Sequence, residues 1–195
     1  MIDKAMRSVV ASIIAAAGLL ASLPAAAVDI DLDGVIFLTG GVASPSGRCA
    51  PAMTITNENV TTTLSNLGQF VFNMSECISA PPPTSTYDGL FDFAFASGSI
   101  FGTTYSVLTE SGTPGIFNID GVFTVTGGTG DFAGASGELL KRGLLDRRNF
   151  PISATAMLTF AGSVAVVPEP ETYALMLAGV AWVGLVVRRR RRAGD

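Results

Sequence analysis

Histidine occurs at none of the 195 positions. That absence removes Ser-His-Asp and Cys-His nucleophilic catalysis and almost every zinc site, because each relies on an imidazole as base or ligand. Cysteine is nearly absent as well. Cys49 and Cys77 are the only two, too few for a metal site without histidine partners but enough for one disulfide. Charge is sparse, with 14% charged residues against 48% hydrophobic ones. Tryptophan appears once and tyrosine three times, whereas phenylalanine appears twelve times, a balance that suits an antiparallel sheet burying one aromatic face.

Much of the hydrophobic content lies at the two ends. Lys4 and Arg7 precede the apolar run Val9–Leu23, which leads to Pro24-Ala25-Ala26-Ala27. A positive start, an apolar run too short for a comfortable membrane span and an Ala-x-Ala site at Ala25 and Ala27 predict a secretory signal peptide over residues 1–27, removed by signal peptidase after Ala27. At the other end Pro168-Glu169-Pro170 is followed by Thr172–Val187 and then by Arg188, Arg189, Arg190, Arg191 and Arg192. Tyr173–Val187 has no charge, and as a helix it reaches roughly 22 Å against a hydrocarbon core of roughly 30 Å. A single transmembrane helix over about residues 172–187 is therefore expected, lengthened by snorkelling arginine stems. The arginines orient it with its C-terminal end cytoplasmic and the residues before Pro168 outside. Each proline fixes φ and disfavours the α region for the residue before it, so the chain arrives at the membrane extended, with one carboxylate between two rings.

Pro-Glu-Pro, a short hydrophobic helix and an arginine cluster, in that order over Val167–Arg192, resemble the PEP-CTERM sorting signal of Gram-negative bacteria. The resemblance implies that an integral-membrane exosortase reads the tail through Pro168, Glu169 and Pro170 and cuts near them. It further implies transient residence in the inner membrane and delivery to the cell surface or into extracellular polysaccharide. A permanently anchored periplasmic protein, which would retain Arg188–Arg192, is an alternative.

Residues 28–166 are then an exported domain, and residues 167–195 the sorting and anchor segment. Within the domain twelve acids outnumber Arg48, Lys141, Arg142, Arg147 and Arg148, for a net charge of about −7, so a basic surface for nucleic acid is missing. In an exported protein Cys49 and Cys77 form a disulfide by default, closing a loop of roughly 29 residues and contributing about 3–4 kcal/mol in the loop-entropy model.

Period-two alternation dominates the domain. Asp29-Ile30-Asp31-Leu32-Asp33-Gly34 has the spacing of the first half of a calcium loop, but position twelve falls on Gly40 instead of glutamate. Its alternation reads as a first strand with the acids outward, continuing through Val35–Leu38. Gly40–Pro51 reads as a loop. Strands are expected at Met53–Thr56, Val60–Leu64, Gln69–Asn73, Leu90–Ala96, Ile100–Thr109, Ile116–Thr126 and Ile152–Val166. No stretch shows a helical stripe. A single sheet this long would leave its apolar face wet, so the fold class is mainly β, an antiparallel barrel or sandwich.

Gly127–Glu138 contains five glycines, which suit a tight turn and a bulge anchored by Phe132. The stretch lacks the spacing of a phosphate cradle. It is similar to the glycine-rich hairpin of allene oxide cyclase and dirigent-like proteins, which implies an eight-stranded antiparallel barrel and carries over no catalytic residue. Lys141, Arg142, Arg147 and Arg148 make a local basic spot that reads as a solvated hairpin, with an anionic polysaccharide as its alternative partner.

Paired carboxylates are the catalytic chemistry still open, and Asp88 with Asp92 or Asp120 with Asp131 are the pairs to consider. Twelve scattered acids make some such pair unavoidable. The reading is therefore a non-enzymatic exported protein without cofactor or metal. A small-ligand-binding or isomerase-like barrel on the same export route is the alternative, and it would need a closed, phenylalanine-lined cavity with a buried polar group.

Overall fold

The computed structural model describes residues 27–50, 52–78, 85–149, 154–167, 178–182 and 184. Ala27–Val167 forms one unit, and Met1–Ala26 with Pro168–Asp195 belong to another. In the first unit ten strands follow one another: β1 (Val28–Thr39), β2 (Val42–Ser44), β3 (Met53–Val60), β4 (Thr63–Ser65), β5 (Val71–Ile78), β6 (Ser85–Phe95), β7 (Gly98–Glu110), β8 (Ile116–Gly128), β9 (Ser136–Asp146) and β10 (Thr155–Val166). Alternation of β-branched or aromatic side chains with small polar ones makes these strands, since successive side chains fall on opposite faces of a pleated backbone.

All ten belong to one antiparallel sheet in the order β2-β3-β5-β6-β7-β8-β9-β10-β1-β4. The middle is a meander in which each strand pairs with the next, and β10 then pairs with β1 from Val28↔Val166 to Thr39↔Thr155. The first and last strands of the domain are thereby neighbours.

The sheet is a curled half-barrel with a seam where the chain runs from β3, near one end of the strand order, to β4 at the other. β3 pairs with β5 on one side and with β2 on the other, while β4, two residues further along the chain, pairs with β1. Hydrogen bonds from Phe37 N to Thr62 O (2.9 Å) and from Asn66 N to Asp33 O (3.1 Å) extend that last pairing. The Asn66 amide adds a bond to Asp31 O (2.8 Å). Between the two halves of the seam β3 is bulged at Asn57 to Val60, where Asn59 adopts φ 55 and its N–H donates to Asn73 Oδ1 at 2.8 Å. An asparagine tolerates this left-handed conformation better than most residues, and the bulge bends the strand from one edge of the sheet to the other.

The curl exists to bury the inward columns. Phe93 on β6 is fully buried, and its ring centroid lies 4.9 Å from Phe91, 5.0 Å from both Phe70 and Phe160, and 5.2 Å from Phe123. Phe160 comes from β10 and Phe70 from the residue before β5, so rings from distant strands meet across the interior. Phe132, in a 3-10 turn at Gly130–Phe132, packs on Phe95 at 5.2 Å, so the glycine-rich stretch is a turn with an inward anchor. At the other end the disulfide Cys49–Cys77, Cα to Cα 5.4 Å, ties the β2–β3 loop to β5. Arg48 Nη2 reinforces it by donating to the carbonyls of Ser75 (2.9 Å) and Asp88 (3.3 Å).

Two expectations change. Gly40–Pro51 contains β2, because Val42–Ser44 finds β3 as a partner. Lys141 and Arg142 of the basic spot lie on a strand, β9, with Arg147 and Arg148 just beyond its end; sequence reading misses the strand because leucines occupy both faces in Leu139-Leu140 and Leu144-Leu145. Asp29, Asp31 and Asp33 are exposed on β1 in the strand arrangement, and no metal-binding cluster occurs among the described residues. Because Phe93 fills the centre of the ring cluster, Phe93→Ala should lower the unfolding free energy by about 3–5 kcal/mol, read from the midpoint of denaturant unfolding.

Candidate functional site

The inward column of β5 runs Phe72, Met74, Glu76, Ile78. An acid in that column must be paired or left unionised, since an isolated buried carboxylate is prohibitively expensive. Its partner arrives from the basic spot. Lys141, 1% exposed, reaches Glu76 Oε1 at 3.1 Å and Thr104 Oγ1 at 2.6 Å, and its Nζ lies 4.5 Å from the centre of the Phe123 ring. The lysine expected on a solvated hairpin is thus among the most buried side chains. Arg142 and Arg148 stay outside, Arg142 near Asp120 (3.8 Å) and Arg148 on Asp146.

Two glycines make room for the pair. Glu76 stands opposite Gly89, which stands opposite Thr104; one rung along, Ser106 stands opposite Gly121, which stands opposite Lys141. A Cβ at Gly89 would fall 2.8 Å from Glu76 Cγ and 2.3 Å from the Ser75 carbonyl oxygen, and at Gly121 2.1 Å from the Tyr105 carbonyl oxygen. Side chains from β5 and β9 therefore meet over bare backbone, which a residue with a Cβ would obstruct.

This polar tier divides the interior. On one side lies the phenylalanine cluster. On the other lies a cavity of about 430 Å³ walled by aliphatic side chains such as Met53, Ile55, Met74, Leu108, Ile119 and Leu158, with Glu76, Lys141, Ser106 and Tyr87 also on its wall. The alternative reading as a ligand-binding barrel required a closed, phenylalanine-lined cavity, but the rings pack among themselves and leave the lining aliphatic. Leu38 near the end of β1, Gly40 and Gly41 just after it and Asn57 on β3 also border the cavity. Burial pushes the Lys141 ammonium below its ordinary range, with Glu76 pulling it back up. Burial likewise raises the Tyr87 phenol, against a smaller opposite effect of Arg147.

The proposed acid pairs are not brought into this cavity. Asp88, Asp120 and Asp131 are exposed and Asp92 is half-buried. Asp92 accepts from Asn73 Nδ2 at 3.3 Å. Glu76 was missed by sequence reading, although its parity with Phe70, Phe72 and Met74 marks it as an inward acid.

Of the processing residues, Ala27 is exposed just before β1. Ala25, Pro168, Glu169, Pro170 and Arg188, Arg189, Arg190, Arg191 and Arg192 lie outside the described residues. Within the expected membrane helix, residues 178–182 and 184 are helical, with Val180 and Trp182 exposed. No helix among the described residues is long and apolar enough to cross a membrane.

Removing one member of the buried pair leaves a desolvated charge behind. Lys141→Met or Glu76→Leu alone should each destabilise the fold by about 3–5 kcal/mol, whereas the double variant should recover most of that loss, as read from denaturant midpoints. Outside, four hydrogen bonds from Arg148, the shortest 2.6 Å, hold the Asp146 carboxyl well below its usual 3.8, at about 2. A depressed carboxylate stabilises the fold at neutral pH and loses that contribution as pH falls from 3.8 towards 2. Carboxyl-carbon NMR titration should place Asp146 near 2, and Arg148→Ala should return it to the ordinary range.

Comparison with known proteins bears on the tail alone. Residues 166–192 match the family model of the PEP-CTERM protein-sorting motif. No curated protein and no solved structure matches the chain.

Proposed function

We propose that this chain is an exported bacterial protein whose tail is read by exosortase and whose β domain is delivered to the cell surface or into extracellular polysaccharide. The sorting motif over residues 166–192 is the observation that carries the reading. The rest of the route follows from the residues at the two ends. Lys4, Arg7, Val9–Leu23 and the Ala25/Ala27 site supply the export signal. Arg188–Arg192 hold the end of the tail on the cytoplasmic side, so that Pro168-Glu169-Pro170 is presented outside, where a membrane-embedded protease can reach it.

The domain's role on this route is non-enzymatic. The lack of histidine supports that, as does the exposure of Asp88, Asp120 and Asp131, acids that a hydrolase would need in a cleft. With a net charge of about −7 the domain repels anionic polymers over most of its surface. The arginines of the basic spot, Arg142, Arg147 and Arg148, are points of attraction for acidic polysaccharide, with Arg142 and Arg148 already beside Asp120 and Asp146.

Intact-mass measurement on protein from the native host should find residues 1–27 missing and Arg188–Arg192 absent from the mature form. Replacing Pro168 and Pro170 together by Ala should leave the arginine tail attached and the protein in the membrane fraction. Unchanged maturation of that variant would sink the sorting reading, and mature wild-type protein that kept Arg188–Arg192 would establish a permanent anchor instead.

A further inference from the structure

Among the described residues three charged ones line the cavity, Glu76, Lys141 and Arg147, and two of them cancel. Glu76 and Lys141 face each other at 3.1 Å, and whether the proton sits on the amine or on the carboxyl the pair sums to zero. Arg147 is the third, and a guanidinium keeps its charge at any physiological pH. Counted this way the wall is positive by one charge, on a domain whose net charge is about −7. Arg147 follows β9, half-buried, with its backbone N–H bonded to the Gly115 carbonyl at 2.8 Å. The acid beside it in the chain, Asp146, is engaged by Arg148. Burial raises the Tyr87 phenol and the charge of Arg147 opposes it, so that charge acts on the cavity wall, where Tyr87 also lies. Arg147 has an interaction of its own, but five N–H donors in a planar fork can serve more than one acceptor.

We infer that the cavity takes a medium-chain carboxylate, its chain among Met53, Ile55, Leu108 and Ile119 and its anionic head on the Arg147 guanidinium. Most of the remaining wall is aliphatic, and the cavity is open to solvent on part of its surface. An alkyl chain is stabilised by leaving water for such a lining, and a carboxylate matches the guanidinium fork with two parallel hydrogen bonds. Met53 opens β3, Ile78 closes β5 and Arg147 follows β9, so the cavity reaches the ends of these strands and the arginine stands there. A head at that end keeps part of its hydration, which an ion in a dry interior would lose. An ammonium head would instead meet the like charge of Arg147. A volume of about 430 Å³ is near the small end of ligand pockets.

Decanoate, decanol and decylamine share one chain and differ in the head, so they separate the alternatives. Amide shifts of Tyr87, Leu108 and Ile119 in the full-length, isotopically labelled chain report on the cavity and distinguish it from partition onto the apolar tail. Decanoate should move those amides saturably, with a dissociation constant at least about tenfold below those of the other two, the effect of one charge-assisted pair. Arg147→Gln should weaken decanoate by about tenfold while leaving decanol binding and the Phe93 amide unchanged. Arg147→Lys should recover part of that loss, since it restores the charge without the fork. Leu108→Trp, which fills the cavity, should abolish the shifts; where that variant does not fold, the head-group series and the Arg147 variants decide. The inference is overturned if no probe saturates or if shifts are confined to residues 178–184. It also fails if decanol or decylamine binds as tightly as decanoate, or if Arg147→Gln leaves decanoate binding unchanged. None of these outcomes bears on the sorting motif, which is tested separately by the Pro168 and Pro170 variants.

Discussion

A sheet with phenylalanine on one face has nowhere to put that face except against itself. No second sheet or packed helix is available among the described residues of this domain, so the ring cluster around Phe93 can be buried only if β5 and β10 are brought round to face each other. Everything else in the domain follows from that curl. It makes β1 and β10 neighbours, it brings the two edges together at the seam, and it demands the bulge at Asn59 that lets one run of chain serve both edges. The edge-strand hazard of an open sheet is reduced by the same device, because each edge strand is short and continues directly into a paired one.

The ring cluster fills only part of the interior. Beyond it a lysine and a glutamate from strands that are not neighbours meet over two glycines, and the cation rests on the face of Phe123. Such a pair stabilises little relative to apolar side chains of equal volume, since desolvation offsets the attraction. Its physical effect is to fix geometry. A column that slipped by one residue would strand Glu76 or Lys141 on the wrong face, so the pair locks the register of β5 against β9. It also separates a closely packed end from an end with room left in it.

Tail and domain answer different questions. The tail specifies a route by a short linear pattern that a processing enzyme can read without reference to the fold. The domain has a negative surface that suits solubility outside the cell, and a disulfide that suits an oxidising compartment. Its interior keeps an apolar cavity with Glu76 and Lys141 on its wall.

The sequence by itself determined the sorting pattern, the β class, the disulfide and the outward acids of β1. Each of these is local or nearly so: three residues in a row, an alternation along one strand, two cysteines with no competitor. It could not determine that Lys141 is buried, because Leu139 and Leu145 share its parity while Leu140 and Leu144 share that of Arg142, so either face of β9 could turn inward. Nor could it choose between barrel and sandwich, since both bury the same columns. Tertiary structure decided these matters. The side of β9 that faces inward depends on Glu76, which lies 65 residues away and needs Lys141 to neutralise it. The cavity arises because aromatic rings stack among themselves at one end and leave the shorter aliphatic side chains unable to meet at the other.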